Sequence, residues 1–265
     1  MDIIFFGILQ GLLEWLPISS QGSLILVMVG FFGYSPERAI ELSIYLHLGT
    51  LLVVLVYFQK EIRQLFFQIK NYSFFDFQKS RENKIISFII ISSLVTGLIG
   101  LPLFLFLIVP VFTGEVLIAL TGIFLIITGV FQKLAVSKEL KTKENLGLKD
   151  SILLGISQGF SIIPGISRSG ITISVFLLRS YKAETALKLS FLMSIPAVIM
   201  SLFGLILFQG LPEVTIGQGI LGIFFAFLSG MLSIHIFLKI AKKVKFWLFC
   251  IIIGMIALVP LLFYF

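Results

Sequence analysis

The sequence predicts an all-α polytopic membrane protein, with six transmembrane helices plus two re-entrant helical hairpins arranged as an inverted-topology repeat. Three observations lead there. Of 265 residues, 58% are hydrophobic and only 12% charged, with a mean hydropathy of +1.11. A soluble domain of this length cannot bury so much apolar side chain, so lipid must be the solvent for much of it. Two long apolar segments are broken at mid-length by polar turns, and these two segments are related to each other in sequence.

The unbroken runs come first. Residues 85–107, 115–131, 216–238 and 246–265 are apolar throughout, while 37–58 and 184–208 begin with a charged turn and then become apolar. At 1.5 Å per residue each is about long enough to cross a hydrocarbon core of roughly 30 Å. Pro102, Pro196 and Pro260 lie inside or near the ends of such runs, which is tolerated where neighbours satisfy the freed carbonyls.

The broken segments are residues 3–32, interrupted by Pro17-Ile18-Ser19-Ser20-Gln21-Gly22, and residues 151–179, interrupted by Pro164-Gly165-Ile166-Ser167-Arg168-Ser169-Gly170. Each half is too short to span, so each whole reads as a hairpin that enters the membrane and returns. Irregular backbone at that depth must be buried in protein or line a wet cavity.

The net charge of +7 reads as topology and not as a nucleic-acid surface, because the cations sit in short segments between apolar runs. Lys60, Arg63, Lys70, Lys79, Arg81 and Lys84 form one group; Lys133, Lys138, Lys141, Lys143 and Lys149 a second; Arg179 and Lys182 a third; Lys239, Lys242, Lys243 and Lys245 a fourth. Placing all four in the cytoplasm requires the second hairpin to return to its own side. Both termini and the first hairpin then face outward. The start of the chain, with Asp2 and no basic stretch before the first apolar run, reads as having no cleavable signal peptide. Cys250 lies in an apolar run without a partner for a disulfide or metal site and reads as a small core or lipid-facing residue.

Moved by 148 positions, the first hairpin falls on the second: Gly7, Ile8, Gln10, Gly11, Ile18, Ser19, Gly22 and Ile25 match Gly155, Ile156, Gln158, Gly159, Ile166, Ser167, Gly170 and Ile173. One position out of step, Tyr34, Glu37, Ala39, Leu42 and Ser43 match Tyr181, Glu184, Ala186, Leu189 and Ser190. An odd number of spans separates the copies, so the second is upside down relative to the first. The chain is thus expected to be a single membrane domain, 1–265, with repeats of about 1–131 and 150–265, an architecture common among transporters.

The two tips would meet near the midplane, and their residue types suggest an anion. The first brings Glu14, Ser19, Ser20, Gln21 and Ser23, with Gln10 one helical turn before Glu14. The second brings Ser167, Arg168, Ser169 and Thr172, with Gln158 earlier. Ionised side chains inside a membrane are expensive and by default mark function; the alternative is a Glu14–Arg168 pair that only locks the hairpins together. A guanidinium matches phosphate oxygens, and Ser- and Gly-containing turns that open helices expose backbone N–H groups to an anion. A carboxylate in such a place is repelled by the ligand unless it binds a divalent cation or handles a proton. Of the two histidines, His47 lies mid-span and is expected to bond a neighbouring carbonyl, with a place in the chemistry as the second reading; His235 is expected at an interface. No pair of His or Cys residues has zinc-type spacing.

Residues 10–22, Gln-Gly-Leu-Leu-Glu-Trp-Leu-Pro-Ile-Ser-Ser-Gln-Gly, and 164–172, Pro-Gly-Ile-Ser-Arg-Ser-Gly-Ile-Thr, resemble the two signatures of the undecaprenyl-diphosphate phosphatase family of the bacitracin-resistance type. The likeness extends over most of the chain, including Leu46-His47-Leu48-Gly49-Thr50. It implies a membrane hydrolase that removes the terminal phosphate from undecaprenyl or a related polyprenyl diphosphate, leaving the monophosphate carrier lipid of cell-wall or glycan synthesis. It implies a divalent cation, Mg²⁺ or Ca²⁺, held at Glu14, and a site open to the outer face. Glu14 would be the essential carboxylate, Ser20 a nucleophilic or phosphate-contacting hydroxyl, and Arg168 the diphosphate clamp. Gln10, Ser19, Gln21, Ser23, Gln158, Ser167, Ser169 and Thr172 would bind substrate. The expected partners are that lipid and the membrane, with no nucleic acid; a homodimer is left open. The sequence departs from the family pattern where a second acid is usual, at Gln10, and where a histidine is usual, at Ser23. Gln10 cannot exchange a proton at neutral pH and Ser23 cannot serve as an imidazole base. A polyprenyl-phosphate flippase or transporter using the same midplane site is therefore the alternative.

Overall fold

In hydrocarbon a backbone can satisfy its own N–H and C=O groups only as helix or closed barrel, and the apolar runs resolve as helix. The computed structural model describes residues 2–72, 81–108, 113–135, 141–210, 212, 214–240 and 246–259. Eleven α-helices lie among them: α1 (Asp2–Leu13), α2 (Ser20–Gly30), α3 (Pro36–Tyr57), α4 (Gln59–Gln68), α5 (Arg81–Ile108), α6 (Gly114–Leu134), α7 (Leu148–Gly159), α8 (Arg168–Leu178), α9 (Ala183–Phe208), α10 (Ile216–Ile240) and α11 (Phe246–Leu258). The only β-type pairing among the described residues is a single bridge between Lys141 and Tyr181.

Five helices, α3, α5, α6, α9 and α10, are long and apolar enough to cross a bilayer, and they fall on five of the six unbroken runs. The described part of the sixth run is the 13-residue α11; its remainder, with Pro260, lies outside the described residues, as do Lys79, Lys138, Lys242, Lys243 and Lys245. Pro102 and Pro196 sit inside continuous helix. One element was not anticipated. Part of the first basic segment is the amphipathic α4, with Phe66 and Phe67 exposed beside Lys60 and Arg63, a pattern suited to lying along a membrane surface.

Each broken segment is two short helices that fold back on one another. The start of α1 meets the end of α2, where the Phe6 and Phe32 rings lie 5.0 Å apart edge to face. The start of α7 likewise meets the end of α8 through Arg179 Nε, which donates to Asp150 Oδ1 at 2.7 Å. Tyr181 donates its hydroxyl to the other Asp150 oxygen at 2.9 Å. Its phenol is pushed above its ordinary pKa by burial first, then by that bond to Asp150.

The short helices of one half pack on the long helices of the other. α1 lies along α10, and α7 lies along α5. Matching glycines make both seams possible. A Cβ on Gly7 would run into the Gly222 carbonyl and one on Gly11 into that of Ala226; on Gly155 it would lie 2.7 Å from the Ser92 carbonyl, and on Gly159 2.7 Å from Ile99 Cβ. Without a hydrophobic drive between helices in lipid, close approach over small residues supplies the packing. Hydroxyls on the long helices seal each seam: Ser233 Oγ donates to the Gly11 carbonyl at 2.7 Å, and Thr96 Oγ1 to that of Gly155 at 3.1 Å.

The first three basic segments meet where they are described. Lys84 Nζ donates to the Glu144 carbonyl at 2.7 Å, linking the first to the second. Backbone bonds between Lys141, Ser180 and Lys182 join the second to the third, and Lys133 lies 4.8 Å over the Trp247 ring.

Gly11→Ala and Gly155→Ala should each lower thermal stability in detergent, by about 1–3 kcal/mol, the usual range for overpacking. Gly217→Ala, where a Cβ meets nothing within 4 Å, should not. Equal melting temperatures for all three, measured by fluorescence scanning, would remove the close-packed seams as the basis of the fold.

Candidate active site

The site begins with two helix starts. The turn after α1 ends at Ser19, whose side chain accepts from the Gly22 amide at 3.2 Å and caps α2; its φ is 61°, a left-handed conformation sparsely used by residues other than glycine. The second turn ends at Ser167, which caps α8 by accepting from the Gly170 amide at 3.0 Å. Ser20 and Arg168 are therefore the first residues of α2 and α8, where backbone N–H groups lack helical partners and the dipole is positive.

Both turns are held from behind. Trp15, fully buried, donates its indole N–H to the Gly230 carbonyl at 2.9 Å. The Pro17 carbonyl accepts from the Gln132 side chain and from Cys250 Sγ at 3.2 Å. On the second turn Thr128 Oγ1 donates to the Gly165 carbonyl at 3.2 Å. A Cβ on Gly22 would stand 2.8 Å from the Gly165 nitrogen, so the tips touch backbone to backbone. Ser169 Oγ also reaches the Leu16 carbonyl at 3.4 Å.

Glu14, 6% exposed, is where everything meets. Arg168 Nη2 donates to its Oε1 at 2.5 Å. Its Oε2 accepts from Ser20 Oγ at 2.6 Å and Gln10 Nε2 at 2.9 Å, with His47 Nε2 at 3.3 Å. His47 Nδ1 lies 2.6 Å from the Ser43 carbonyl; a carbonyl only accepts, so that nitrogen carries a proton. Arg168 is steered by Nη1, which donates to the Ser190 carbonyl at 3.3 Å. Thr172, one turn along, bonds both the Arg168 carbonyl and the Ser190 hydroxyl at 2.7 Å.

A cavity of about 410 Å³ opens on this cluster. Glu14, Ser20, Arg168, Ser19, Gln21, Gln158, Ser169 and His47 are on its wall. Gln10, Ser23, Ser167 and Thr172, expected to bind substrate, stand behind the wall instead, because each is taken up in orienting a neighbour or is buried beneath one. Gln10 Oε1, Ser23 Oγ and Gln158 Oε1 are buried without a hydrogen-bond partner. His47 makes the carbonyl bond expected of it and also the contact with Glu14. Cys250 is a buried donor to the first tip and not lipid-facing.

Trp15, Gln132, Thr128, Ser43 and Ser190 were not foreseen in these roles. Ser43 and Ser190 had a signal, since they match in the repeat, and each offers its carbonyl to a charged or protonatable partner of Glu14. Gln132 and Thr128 lie in α6, which has no copy in the aligned blocks, and nothing in sequence marks them.

The model of the bacitracin resistance protein BacA family matches residues 3–259. The chain belongs to that family. Among curated relatives, the undecaprenyl-diphosphatase of Methanococcoides burtonii is 47% identical over 98% of this chain and 97% of its own. Those of Haloarcula marismortui and Methanothrix thermoacetophila are 34% and 36% identical, covering 95% and 97% of this chain and 93% and 95% of theirs. In this chain the two signatures thus acquire a geometry: the acid of the first, buried, and the arginine of the second, part-buried, are one ion pair.

Removing Arg168 leaves Glu14 buried without its countercharge. Arg168→Ala should therefore cost about 3–5 kcal/mol of stability, and Glu14→Gln in the same chain should recover part of it. Additive losses in that double-mutant cycle, read from unfolding in detergent, would mean that the two groups do not interact.

Proposed function

We propose that this BacA-family protein is a membrane hydrolase that removes the terminal phosphate from undecaprenyl diphosphate or a related polyprenyl diphosphate, leaving the monophosphate carrier lipid for reuse in cell-wall or glycan synthesis. The observation that carries the reading is the cluster on Glu14: a serine hydroxyl 2.6 Å from one carboxylate oxygen and a guanidinium 2.5 Å from the other, at the starts of two helices and on the wall of a cavity. The named relatives are undecaprenyl-diphosphatases, and they do not favour a flippase that releases no phosphate.

The residues divide the chemistry as follows. The terminal phosphate sits against Arg168 and the free amides of α2 and α8, which neutralise charge on its oxygens as the transition state forms. Glu14 takes the proton of Ser20, whose oxygen attacks phosphorus in line while the bond to the lipid-borne phosphate oxygen breaks. Water then releases the phosphate by the same groups in reverse. Direct attack by a water held on Glu14 satisfies the same geometry. His47 and Gln10 hold the carboxylate in place, and Ser190 and Thr172 do the same for Arg168.

A divalent cation fits this donor set in one way. Among the described residues no three His, Cys, Asp or Glu side chains gather, so no protein cage is built. Mg²⁺ needs only one or two carboxylates when it shares substrate phosphates, whereas Ca²⁺ takes about six to eight oxygens. Glu14 and the Ser20 oxygen, both on the cavity wall, would hold it. Bound there, the cation would supply further charge neutralisation of the phosphoryl oxygens.

The membrane arrangement we infer has six spans and two re-entrant hairpins related as inverted repeats, with termini and site toward the outer face. The reciprocal seams of α1 on α10 and α7 on α5, built on matching glycines, support the repeat. The meeting of each hairpin's two ends supports re-entry. The meeting of the first three basic segments supports the assignment of their face to the cytoplasm.

Purified protein should release phosphate from C55 diphosphate, and release should fall when EDTA is added. Glu14→Gln, Ser20→Ala and Arg168→Lys should each lose at least about a hundredfold in rate, the scale of one acid–base or oxyanion partner; Ser20→Ala and Arg168→Lys should keep melting temperatures near that of the parent, while Glu14→Gln, which leaves Arg168 without its countercharge, should also melt lower. Normal turnover in Glu14→Gln or Arg168→Lys would sink the assignment.

A further inference from the structure

The helix α4 takes no part in the chemistry at Glu14. It follows α3 directly, since Phe58 ends one helix and begins the other. As α3 is of membrane length, α4 starts where the chain leaves hydrocarbon. One stripe of it faces the protein. Phe58 is buried, and Ile62 and Leu65, four and seven residues on, pack with it in the cluster of Trp15, Val54 and Phe237. Leu65 also reaches the cluster of Ile85 and Tyr181, beside which the first three basic segments meet.

The rest of α4 is not what a water-facing surface carries. Phe66, Phe67 and Ile69 are 68%, 57% and 55% exposed, and the two rings lie edge to face 6.3 Å apart. Three exposed cations stand among them, Lys60 and Arg63 in α4 and Lys70 in the single 3₁₀ turn that follows. Arg63 lies 5.6 Å over the Phe67 ring. At about 100° per residue, Lys60, Arg63 and Phe67 share one side of the helix. Glu61, the one acid of α4, lies off that side. Among the described residues no carboxylate pairs with any of the three cations.

We propose that this face of α4 binds anionic phospholipid headgroups of the leaflet that borders the basic segments, with Phe66, Phe67 and Ile69 set into the acyl boundary beneath them. Each part of the face selects part of the occupant. Two rings and an isoleucine beside the end of a span need an apolar neighbour, and the boundary about 5–10 Å below the headgroups supplies one. The unpaired cations need negative charge, which the chain does not supply here: its net charge is +7, and the segments adjoining α4 bring Lys84, Lys141 and Lys182. Neutral lipid would take the rings and leave the cations without countercharge. A second copy of this chain would set the same cations against one another. A soluble acidic protein would match the charge, but a helix that starts at the end of a span already has lipid beside it. Anionic lipid bound here holds the folded chain, so it also stabilises it by mass action.

The test uses the full chain carrying Phe67→Trp, in bilayers of phosphatidylcholine and phosphatidylglycerol with brominated acyl chains on one lipid or the other. Quenching beyond that of Trp15 and Trp247 in the parent reports the lipid that touches position 67. Such quenching should appear, and phosphatidylglycerol should be preferred there at least about tenfold, since one cation at an anionic surface is worth about fivefold. Adding Lys60→Gln, Arg63→Gln and Lys70→Gln together should keep the quenching and bring the preference to within about twofold of equality. Lys60→Gln alone, at an exposed position, guards against a triple variant that fails to fold and should cost about fivefold. Melting temperature should rise with the phosphatidylglycerol fraction in the parent, and rise less in the triple variant. No added quenching overturns the proposal, whether position 67 then proves to face water or cross-links to a second copy or a soluble protein. Equal preference for the two lipids before the cations are changed overturns it, and so does a preference that survives their removal.

Discussion

The structure turns on one ion pair between segments 154 residues apart. Glu14 and Arg168 could not be buried separately, since an unpaired charge in this environment is costly enough to unfold the site or be neutralised. Together they tie the tip of one hairpin to that of the other. Their supports are arranged so that neither can turn away: Gln10, Ser20 and His47 bracket the carboxylate, and the Ser190 carbonyl holds the guanidinium's other terminal nitrogen. A pair made only for stability would be replaceable by apolar side chains. This one lies on a cavity wall with a serine hydroxyl beside it, which is the property that catalysis needs.

Bringing the tips together requires short helices to come very close to long ones. The glycines at 7, 11, 155 and 159 allow that approach, and Ser233 and Thr96 then satisfy carbonyls that the tight contact exposes. Each hairpin is thus clamped by a long helix of the other half. Neither half can place its own tip, so the site forms only when both halves are assembled. Rigid clamping of this kind suits electrostatic stabilisation, which depends on donors that do not reorganise during reaction.

Much of this was legible in the sequence because membrane constraints are strong. The five long helices follow from uninterrupted apolar length, and the breaks at Pro17–Gly22 and Pro164–Gly170 follow from residues that cannot continue a helix at that depth. Glu14 and Arg168 stood out because charge there is rare. What was not legible is contact. Gln10 and Gln158 match in the repeat, yet one bonds Glu14 and the other Thr96, because the repeat carries a glutamate in one copy and Ile162 in the other. His47 was readable as a carbonyl-bonded residue, but its second nitrogen finds Glu14 only through the packing of α3 against α1. The amphipathic α4 was hidden by its charges, which dominated the reading of the segment as a basic loop.

The residues that depart from the family pattern change the electrostatics in a coherent way. With a second carboxylate in place of Gln10, two acids would lie within hydrogen-bond distance, and a proton or a cation would have to sit between them. Gln10 supplies an N–H instead, so Glu14 has no second acid beside it and faces Arg168 and His47. Where the family pattern has a histidine this chain has Ser23, and the imidazole beside Glu14 is that of His47, 3.3 Å away. Its proton on Nδ1 is fixed by the Ser43 carbonyl, which aims Nε2 at Glu14. One carboxylate, one guanidinium and one imidazole thus meet at this end of the cavity, with the imidazole entering from α3 and not from α2.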